Sequence, residues 1–334
     1  MKAIVLVGGF GTRLRPLTLT TPKQMLPVVG SPMIERVVAK LAEHGVTDAI
    51  LSLGYRPDAF IEAYPDDVCA GVRLHYAVEP EPLDTAGAVR FAAIDAGIDS
   101  RFVVVNGDVL TDLDLSAMWK THLDGGAEGT IHLVPVEDPS RYGVVPFDDS
   151  GRVQAFGEKP RRDEAPSRWI NAGTYVLEPS VIDRIPAGRK VSIERETFPA
   201  MVADGTLFAY PSDVYWVDAG TPATYLQVQL DYVEGRRGPA EPAVASSASI
   251  ADDAYLERSV IMDGAVVEPG AIVIGSALLP SAVVGQGARV SDSVIGPHAT
   301  VGAGAQLSDL CVIGDGVDVE PGVELRGVKL PEPE

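Results

Sequence analysis

The stretch Lys2-Ala-Ile-Val-Leu-Val-Gly8-Gly9-Phe10-Gly11-Thr12-Arg13-Leu14-Arg15-Pro16-Leu17-Thr18, with Pro22-Lys23 just beyond, decides how the N-terminal half folds. Residues 3–7 are a continuous apolar run, the pattern of a buried parallel strand. The run turns straight into a glycine-rich loop with two arginines and then a lysine. Glycines let backbone N–H groups approach phosphate oxygens closely, and the cations neutralise what the amides cannot. The loop therefore reads as a polyphosphate site; the plain alternative is a glycine turn with a solvated basic face. A Walker A loop is excluded, because Lys-Ser/Thr does not follow the last glycine and Pro16 sits where the helix would begin. A dinucleotide fingerprint is excluded as well, because Leu14 holds the place of its third glycine.

The same alternation continues. Apolar runs at 49–53, 72–78 and 102–105 predict strands. Pro32 can open a helix that puts Ile34, Val37, Val38 and Leu41 on one face, and a second helix is expected over about 86–96. Strands alternating with helices predict an α/β, Rossmann-like, mostly parallel mixed sheet with helices on both faces. Ligands gather at the carboxyl ends of such strands, where Gly8–Arg13 and Asp108 both fall. Between 130 and 210 the runs 131–136, 143–146, 153–156, 172–177 and 207–210 predict further, partly antiparallel strands. A last helix over 222–233 closes the domain.

Glu234-Gly-Arg-Arg-Gly-Pro-Ala-Glu-Pro is a linker by composition. Beyond it the period changes to six. Apolar residues recur at Ile250, Leu256, Ile261, Val267, Val273, Leu279 and Val284 and so on to Leu325, mostly six residues apart and three times five. Gly, Pro and small residues lie between, as in Val267-Glu-Pro-Gly-Ala-Ile. A fixed short period means a solenoid, and six residues suit one flat face of a triangular parallel β-helix. The expected organisation is a catalytic domain over 1–233, a linker over 234–248 and a β-helix of hexapeptide repeats over 249–330.

Composition limits the partners. The 334-residue chain carries a formal charge of −20, which disfavours nucleic acid and anionic membranes. Only seven lysines are present, and Lys23 and Lys159 fall in the two most motif-like segments. Cys69 and Cys311 show neither metal-ligand nor redox spacing and read as reduced thiols. The apolar run after Lys2 is too short for a secretory signal, no segment is long enough for a membrane helix, and a cytoplasmic protein is expected.

The motifs taken together resemble the sugar-1-phosphate nucleotidylyltransferases. The N-terminal signature through Leu26-Pro27-Val28 carries the resemblance. Asn106-Gly-Asp108, Glu158-Lys159-Pro160, Asn171-Ala-Gly173 and Trp216-Val-Asp218-Ala-Gly-Thr-Pro follow in the family's order. Within the family the chain most resembles GDP-mannose pyrophosphorylases that end in a left-handed parallel β-helix. The resemblance implies attack of a sugar-1-phosphate oxygen on the α-phosphorus of a nucleoside triphosphate. GTP and mannose-1-phosphate are favoured, glucose-1-phosphate with UTP, dTTP or ATP being the alternative. A phosphate monoester is already mostly dianionic near neutrality, so no general base is needed and electrostatic positioning dominates.

Roles follow from the same resemblance. Arg13 and Lys23 are the catalytic cations. Leu6, Gly8, Gly9, Gly11, Thr12, Asp84, Thr85, Gly87 and Asp108 belong to the nucleotide site. Gly143, Glu158, Lys159 and Asn171 hold the sugar phosphate, and Asp108 with Asp218 binds Mg²⁺. Local readings stay open beside these. Asp108 is also compatible with a helix cap, Asp218 with a turn, Asn171 with a strand end, and Glu158-Lys159-Pro160 with a solvated turn. Two departures stand out. Asp84 occupies a place usually held by Gly; it either accepts from guanine N1–H and N2–H₂ or is an outward loop residue. Gln24 replaces the usual Pro after Pro-Lys. Two rival functions remain: acyl transfer at the β-helix, whose one histidine is His298, and a non-catalytic regulatory paralog. The solenoid's open ends suggest a homo-oligomer.

Overall fold

The computed structural model describes residues 1–54, 56–158 and 166–332. The chain packs as two compact units. One is Met1–Gly9 with Val37–Trp216, and the other is Phe10–Arg36 with Val217–Glu334.

The first unit is built on a ten-stranded mixed sheet. Its strands include β1 (Lys2–Leu6), β2 (Asp48–Leu53), β3 (Val72–Val78), β4 (Phe102–Asn106), β5 (Gly129–Pro135), β6 (Gly143–Val144), β7 (Trp169–Leu177) and β8 (Leu207–Pro211). The spatial order β3-β2-β1-β4 is parallel throughout. Antiparallel β7 then pairs with β4, β5 and β6. The strand order reverses between β1 and β4, so the crevice at their carboxyl ends is the topological switch point of the sheet.

Helices α1 (Met33–Glu43), α2 (Asp84–Asp95), α3 (Leu115–Gly125) and α4 (Pro222–Val233) complete the main elements. The core of the first unit joins Ile4, Val104, Ile131, Tyr175 and Phe198, all buried. Each such side chain contributes about 1.5–3 kcal/mol by leaving water.

The sequence expectations for β1–β4 and α4 are met, and three differ. Helix α2 starts at Asp84, not near 86, so Asp84 and Thr85 form its first turn. Residues 153–156 form no strand; Val153 makes a single bridge to Phe147. The short helices Ser180–Arg184 and Phe198–Ala203 lie within the stretch 130–210, which was read only for strands.

In the second unit, residues from 249 on form three parallel sheets of five short strands each. This is the arrangement of a left-handed parallel β-helix. Successive strands of one face are 17 residues apart, as in Ile261–Leu278–Ile295. The next step, Ile295 to Ile313, is 18, because Asp309 and Leu310 both turn a corner at positive φ. The stacked residue is Leu278 and not the expected Leu279, which gives a 6-6-5 count around the 17-residue coils. Leu279 is equally buried, but the inward stack of Ile261, Leu278 and Ile295 does not include it.

Corners recur at left-handed φ, for example Gly264, Ser281, His298 and Gly316. Another corner carries a buried hydroxyl ladder. Ser259 Oγ accepts from Ser276 N (3.2 Å), Ser276 Oγ from Ser293 N (3.1 Å) and Ser293 Oγ from Cys311 N (3.1 Å). Each hydroxyl thus satisfies a buried amide of the next coil, and Cys311 takes the fourth step. Cys69 and Cys311 are both buried, and neither forms a disulfide among the described residues. Among the described residues no helix is long and apolar enough to cross a membrane.

Candidate active site

In the first unit the switch point gathers groups from four strand ends. Leu6 O at the end of β1 accepts from Gly107 N (2.9 Å), which sets Asp108 in the turn directly after β4. Val7 N donates to Ser52 O (3.2 Å) at the end of β2. Gly8 and Gly9 follow, both exposed, and a Cβ at either would meet nothing within 4 Å. Gly9 has φ +104, a conformation L side chains rarely adopt. Asp108 is half-buried. It does not cap α3: that role belongs to Asp114, whose carboxylate accepts from Ala117 N.

The end of β3 contributes Glu79, which the sequence reading missed. Its carboxylate accepts from Ser52 Oγ (3.0 Å) and Leu83 N (3.0 Å), and burial pushes it above the usual carboxylate range. The signal available was its place just before Pro80, at the entrance to the segment around Asp84.

Asp84 has φ +61, the left-handed region that a glycine would take without cost. Asp tolerates it better than most residues. Its Oδ1 accepts from Thr85 N (2.8 Å) and its Oδ2 from Arg195 Nη2 (3.0 Å). Thr85 Oγ1 donates to Glu194 Oε2 (2.8 Å) and accepts from Ile193 N (2.8 Å). Gly87 is buried, and its N–H donates to Val191 O (3.2 Å). A Cβ there would lie 2.8 Å from Leu83 Cβ. These three residues join the start of α2 to residues 191–195, and Arg195 and Glu194 are partners that local sequence gave no sign of.

On the other side of the switch point, two motifs meet. Gly173 at φ +74 packs so closely that a Cβ would lie 2.5 Å from Asn106 Nδ2. Asn171 Oδ1 accepts from Gly173 N (2.9 Å), and Asn171 Nδ2 donates to Tyr175 OH (2.9 Å). These bonds hold the register slip between Asn171 and Tyr175 in β7. Among the described residues, the bonds to Gly173 and Tyr175 leave one amide hydrogen and one oxygen lone pair of Asn171 unused. Gly143 pairs with Glu158 across the strand edge. A Cβ on Gly143 would meet Phe156 at 2.9 Å. Lys159 and Pro160 lie outside the described residues.

In the second unit the signature continues as three short 3₁₀ turns, Thr12–Leu14, Leu17–Leu19 and Lys23–Met25. Gly11 has φ +59, and a Cβ there would lie 3.0 Å from Thr18 Cγ2 and 3.3 Å from Lys23 Cβ. Glycine at this place is thus what lets half-buried Lys23 fold back against the loop. Gln24 beside it is buried, and its Oε1 finds no partner among the described residues.

Arg13 Nη2 lies 3.5 Å from Asp218 Oδ2, and Asp218 Oδ1 accepts from Gly220 N (2.8 Å). A Cβ on Gly220 would lie 2.5 Å from Arg13 Nη2, so this glycine clears the space for the guanidinium. Asp218 is both a turn aspartate and the arginine's partner. Arg13 remains largely exposed, with 60% of its side chain accessible. Buried Gln229 of α4 anchors the loop's far end, donating to Pro27 O (2.7 Å) and accepting from Val29 N (2.8 Å).

Among the described residues no three His, Cys, Asp or Glu side chains cluster as metal ligands. His298 is an exposed corner residue whose N–H donates to Pro280 O (3.0 Å).

Comparison with known proteins identifies the family. Residues 2–235 match the Nucleotidyl transferase family, and residues 240–332 match the GMPPB C-terminal domain. A relative named mannose-1-phosphate guanylyltransferase, from Mycobacterium tuberculosis, is 40% identical over 84% of this chain and 75% of its own length. One named mannose-1-phosphate guanyltransferase, from Schizosaccharomyces pombe, is 42% identical over 82% of this chain and 73% of its own. The crystal structure of HddC from Yersinia pseudotuberculosis complexed with GMP-PN superposes with a TM-score of 0.59 at 32% identity, covering 68% of this chain and 97% of that one. The chain belongs to the nucleotidyl transferase family.

Proposed function

We propose that the protein is a mannose-1-phosphate guanylyltransferase: it transfers GMP from GTP to mannose-1-phosphate, forms GDP-mannose and releases pyrophosphate. The observation that carries this reading is the family signature placed on a switch point. Gly8 and Gly9 leave β1 and Asp108 leaves β4 at neighbouring strand ends, while Arg13 is oriented by Asp218 over Gly220. The relatives' shared name supplies the base and the sugar.

The obstacle to this reaction is repulsion between anions, and the charge that grows on departing pyrophosphate. Backbone groups of Gly8, Gly9, Gly11 and Thr12, next to Leu6, line the triphosphate. The planar fork of Arg13 bridges its outer phosphates. Lys23 meets the α-phosphate and the incoming phosphate. Asp84, Thr85 and Gly87 shape the base pocket. Lys159 grips the sugar phosphate, and Gly143, Glu158 and Asn171 bond the sugar hydroxyls. No proton needs to be removed from a dianionic nucleophile.

A divalent cation fits the donor set. Asp108 in the first unit and Asp218 in the second each offer one hard carboxylate. That suits Mg²⁺, which takes one or two carboxylates and completes its shell with water and substrate phosphates. When bound it would neutralise charge shared by the two reactants. A cytoplasmic homo-oligomer assembled through the β-helix is part of the same reading.

The test is a matrix of nucleoside triphosphates against hexose-1-phosphates, with divalent cations and with chelator, read as pyrophosphate release. GTP with mannose-1-phosphate is expected to give the highest kcat/KM, and chelator to abolish it. A higher value for glucose-1-phosphate with UTP, dTTP or ATP would replace the assignment.

A further inference from the structure

The last coil of the β-helix reaches the signature loop within the second unit. Lys329 Nζ donates to Arg13 O (3.2 Å), and Thr20 Oγ1 donates to Asp315 Oδ2 (3.1 Å). Between them Pro16 lies over Gly314, where a Cβ would sit 3.1 Å from Pro16 Cβ. The three contacts come from adjacent coils, joined where Gly314 N donates to Leu330 O (2.7 Å).

The two carbonyls that precede Arg13 O are satisfied inside the loop. Gly11 O accepts from Leu14 N (2.9 Å) and Thr18 Oγ1 (2.8 Å), and Thr12 O accepts from Arg15 N (3.3 Å). Arg13 O is turned instead toward the solenoid, where Lys329 meets it. Fixing that carbonyl fixes the peptide plane that leaves Arg13, and hence the origin of the guanidinium beside Asp218.

We propose that Lys329 is a positioning residue for nucleotidyl transfer, so that the final β-helix coil is a working part of the phosphate-binding loop and not only an assembly platform. The proposal rests on the function assigned above. Lys329 touches no reacting atom; it acts through the backbone of Arg13. Without a donor at 329 the carbonyl turns to water and the arginine loses its fixed starting point. A displacement of about an ångström at a catalytic group is enough to slow chemistry substantially.

Full-length Lys329→Met and Lys329→Arg separate this role from a structural one. With GTP and mannose-1-phosphate, kcat of Lys329→Met should fall about tenfold with the KM for mannose-1-phosphate little changed, and Lys329→Arg should return to within about twofold of the parent. Amide exchange over 11–18 should quicken in Lys329→Met while its Tm holds. Parental turnover in Lys329→Met would overturn the proposal. So would a loss that follows a lowered Tm and that arginine does not restore. Failure of the unaltered protein to release pyrophosphate is a separate result, and it would remove the assigned function instead.

Discussion

The β-helix and the signature loop share a compact unit but are held together in opposite ways. In the solenoid each strand bonds to strands 17 or 18 residues away, and the same environment returns at every coil. Between Gly11 and Lys23 the backbone bonds stay within short turns, and the loop's shape depends on Asp218, Asp315 and Lys329, each about 200 to 300 residues distant. A repeating environment can be read from period alone. A singular one depends on partners that no local pattern identifies. The same division separates stability, which repeated burial supplies, from the chemistry proposed for the singular loop.

The largest effect expected from breaking the comparison is at Arg13. Arg13→Ala should lower kcat/KM on the order of 10³-fold, because a phosphate-directed arginine acts mainly on the transition state. The side chain is mostly exposed, so Tm should move by no more than about 2 °C. Steady-state pyrophosphate release and thermal unfolding on the same sample check both halves. A fall in Tm with activity intact would make the loop a structural element and reverse the contrast.

The converse change is Ile295→Ala. Ile295 is fully buried between Leu278 and Ile313. Its loss should destabilise by about 3 kcal/mol, the usual cost of a core cavity. Denaturant melts should show this, while kcat below the transition stays near the parental value. A large drop in kcat of the folded protein would mean that packing defects in the solenoid travel to the loop.

How much was legible follows the same line. Helix α4 was legible as a helix over about 222–233, and in the structure Thr221 and Thr224 close a capping box at its start with Pro222 in the first turn. The solenoid's faces were legible except at Leu278-Leu279, where two adjacent leucines fit the period and only the stacked neighbours choose between them. The start of α2 was misjudged because its first turn is ordered by Val191 O and Glu194, about a hundred residues on. Candidate residues at strand ends, such as Gly8, Gly9 and Asp108, were visible as strand-then-glycine or strand-then-aspartate, and Gly220 was visible within its motif. Glu79, Arg195 and Lys329 were not, since each is picked out only by a contact distant in sequence.

The sheet and the solenoid should also part under acid. His132 in β5 is fully buried, with Nε2 2.7 Å from Ser212 Oγ, and burial lowers its pKa to about 4 from the ordinary 6.5. The folded form keeps it neutral while the unfolded chain takes up a proton. Stability is therefore complete above pH 6.5 and is lost as pH falls toward 4, by up to about 3 kcal/mol. His122, also buried and also lowered by burial, acts in the same direction. The solenoid's single histidine, His298, lies on its surface. Tm measured from pH 7.5 to 4.5 should fall more steeply for the parent than for His132→Gln. Equal slopes would remove His132 from the account.

The smallest effect is at Asp84, where the comparison is sharpest because a solenoid corner and the site use the same backbone region. Asp84 at φ +61 resembles the corner residue Asp309 at φ +58, yet it also pairs with Arg195. Asp84→Gly should relieve up to about 1 kcal/mol of left-handed strain. Against that, it gives up a half-exposed ion pair worth less than about 1 kcal/mol. The two nearly cancel, so Tm should shift by no more than about 2 °C. Base preference is what separates the two roles. Its carboxylate keeps lone pairs beyond those used by Thr85 and Arg195, enough to accept from guanine N1–H or N2–H₂. Loss of one such bond should reduce the GTP-to-ATP ratio of kcat/KM about fivefold. An unchanged ratio, with Tm unchanged or raised, would leave Asp84 as the residue that shapes the first turn of α2 and nothing more.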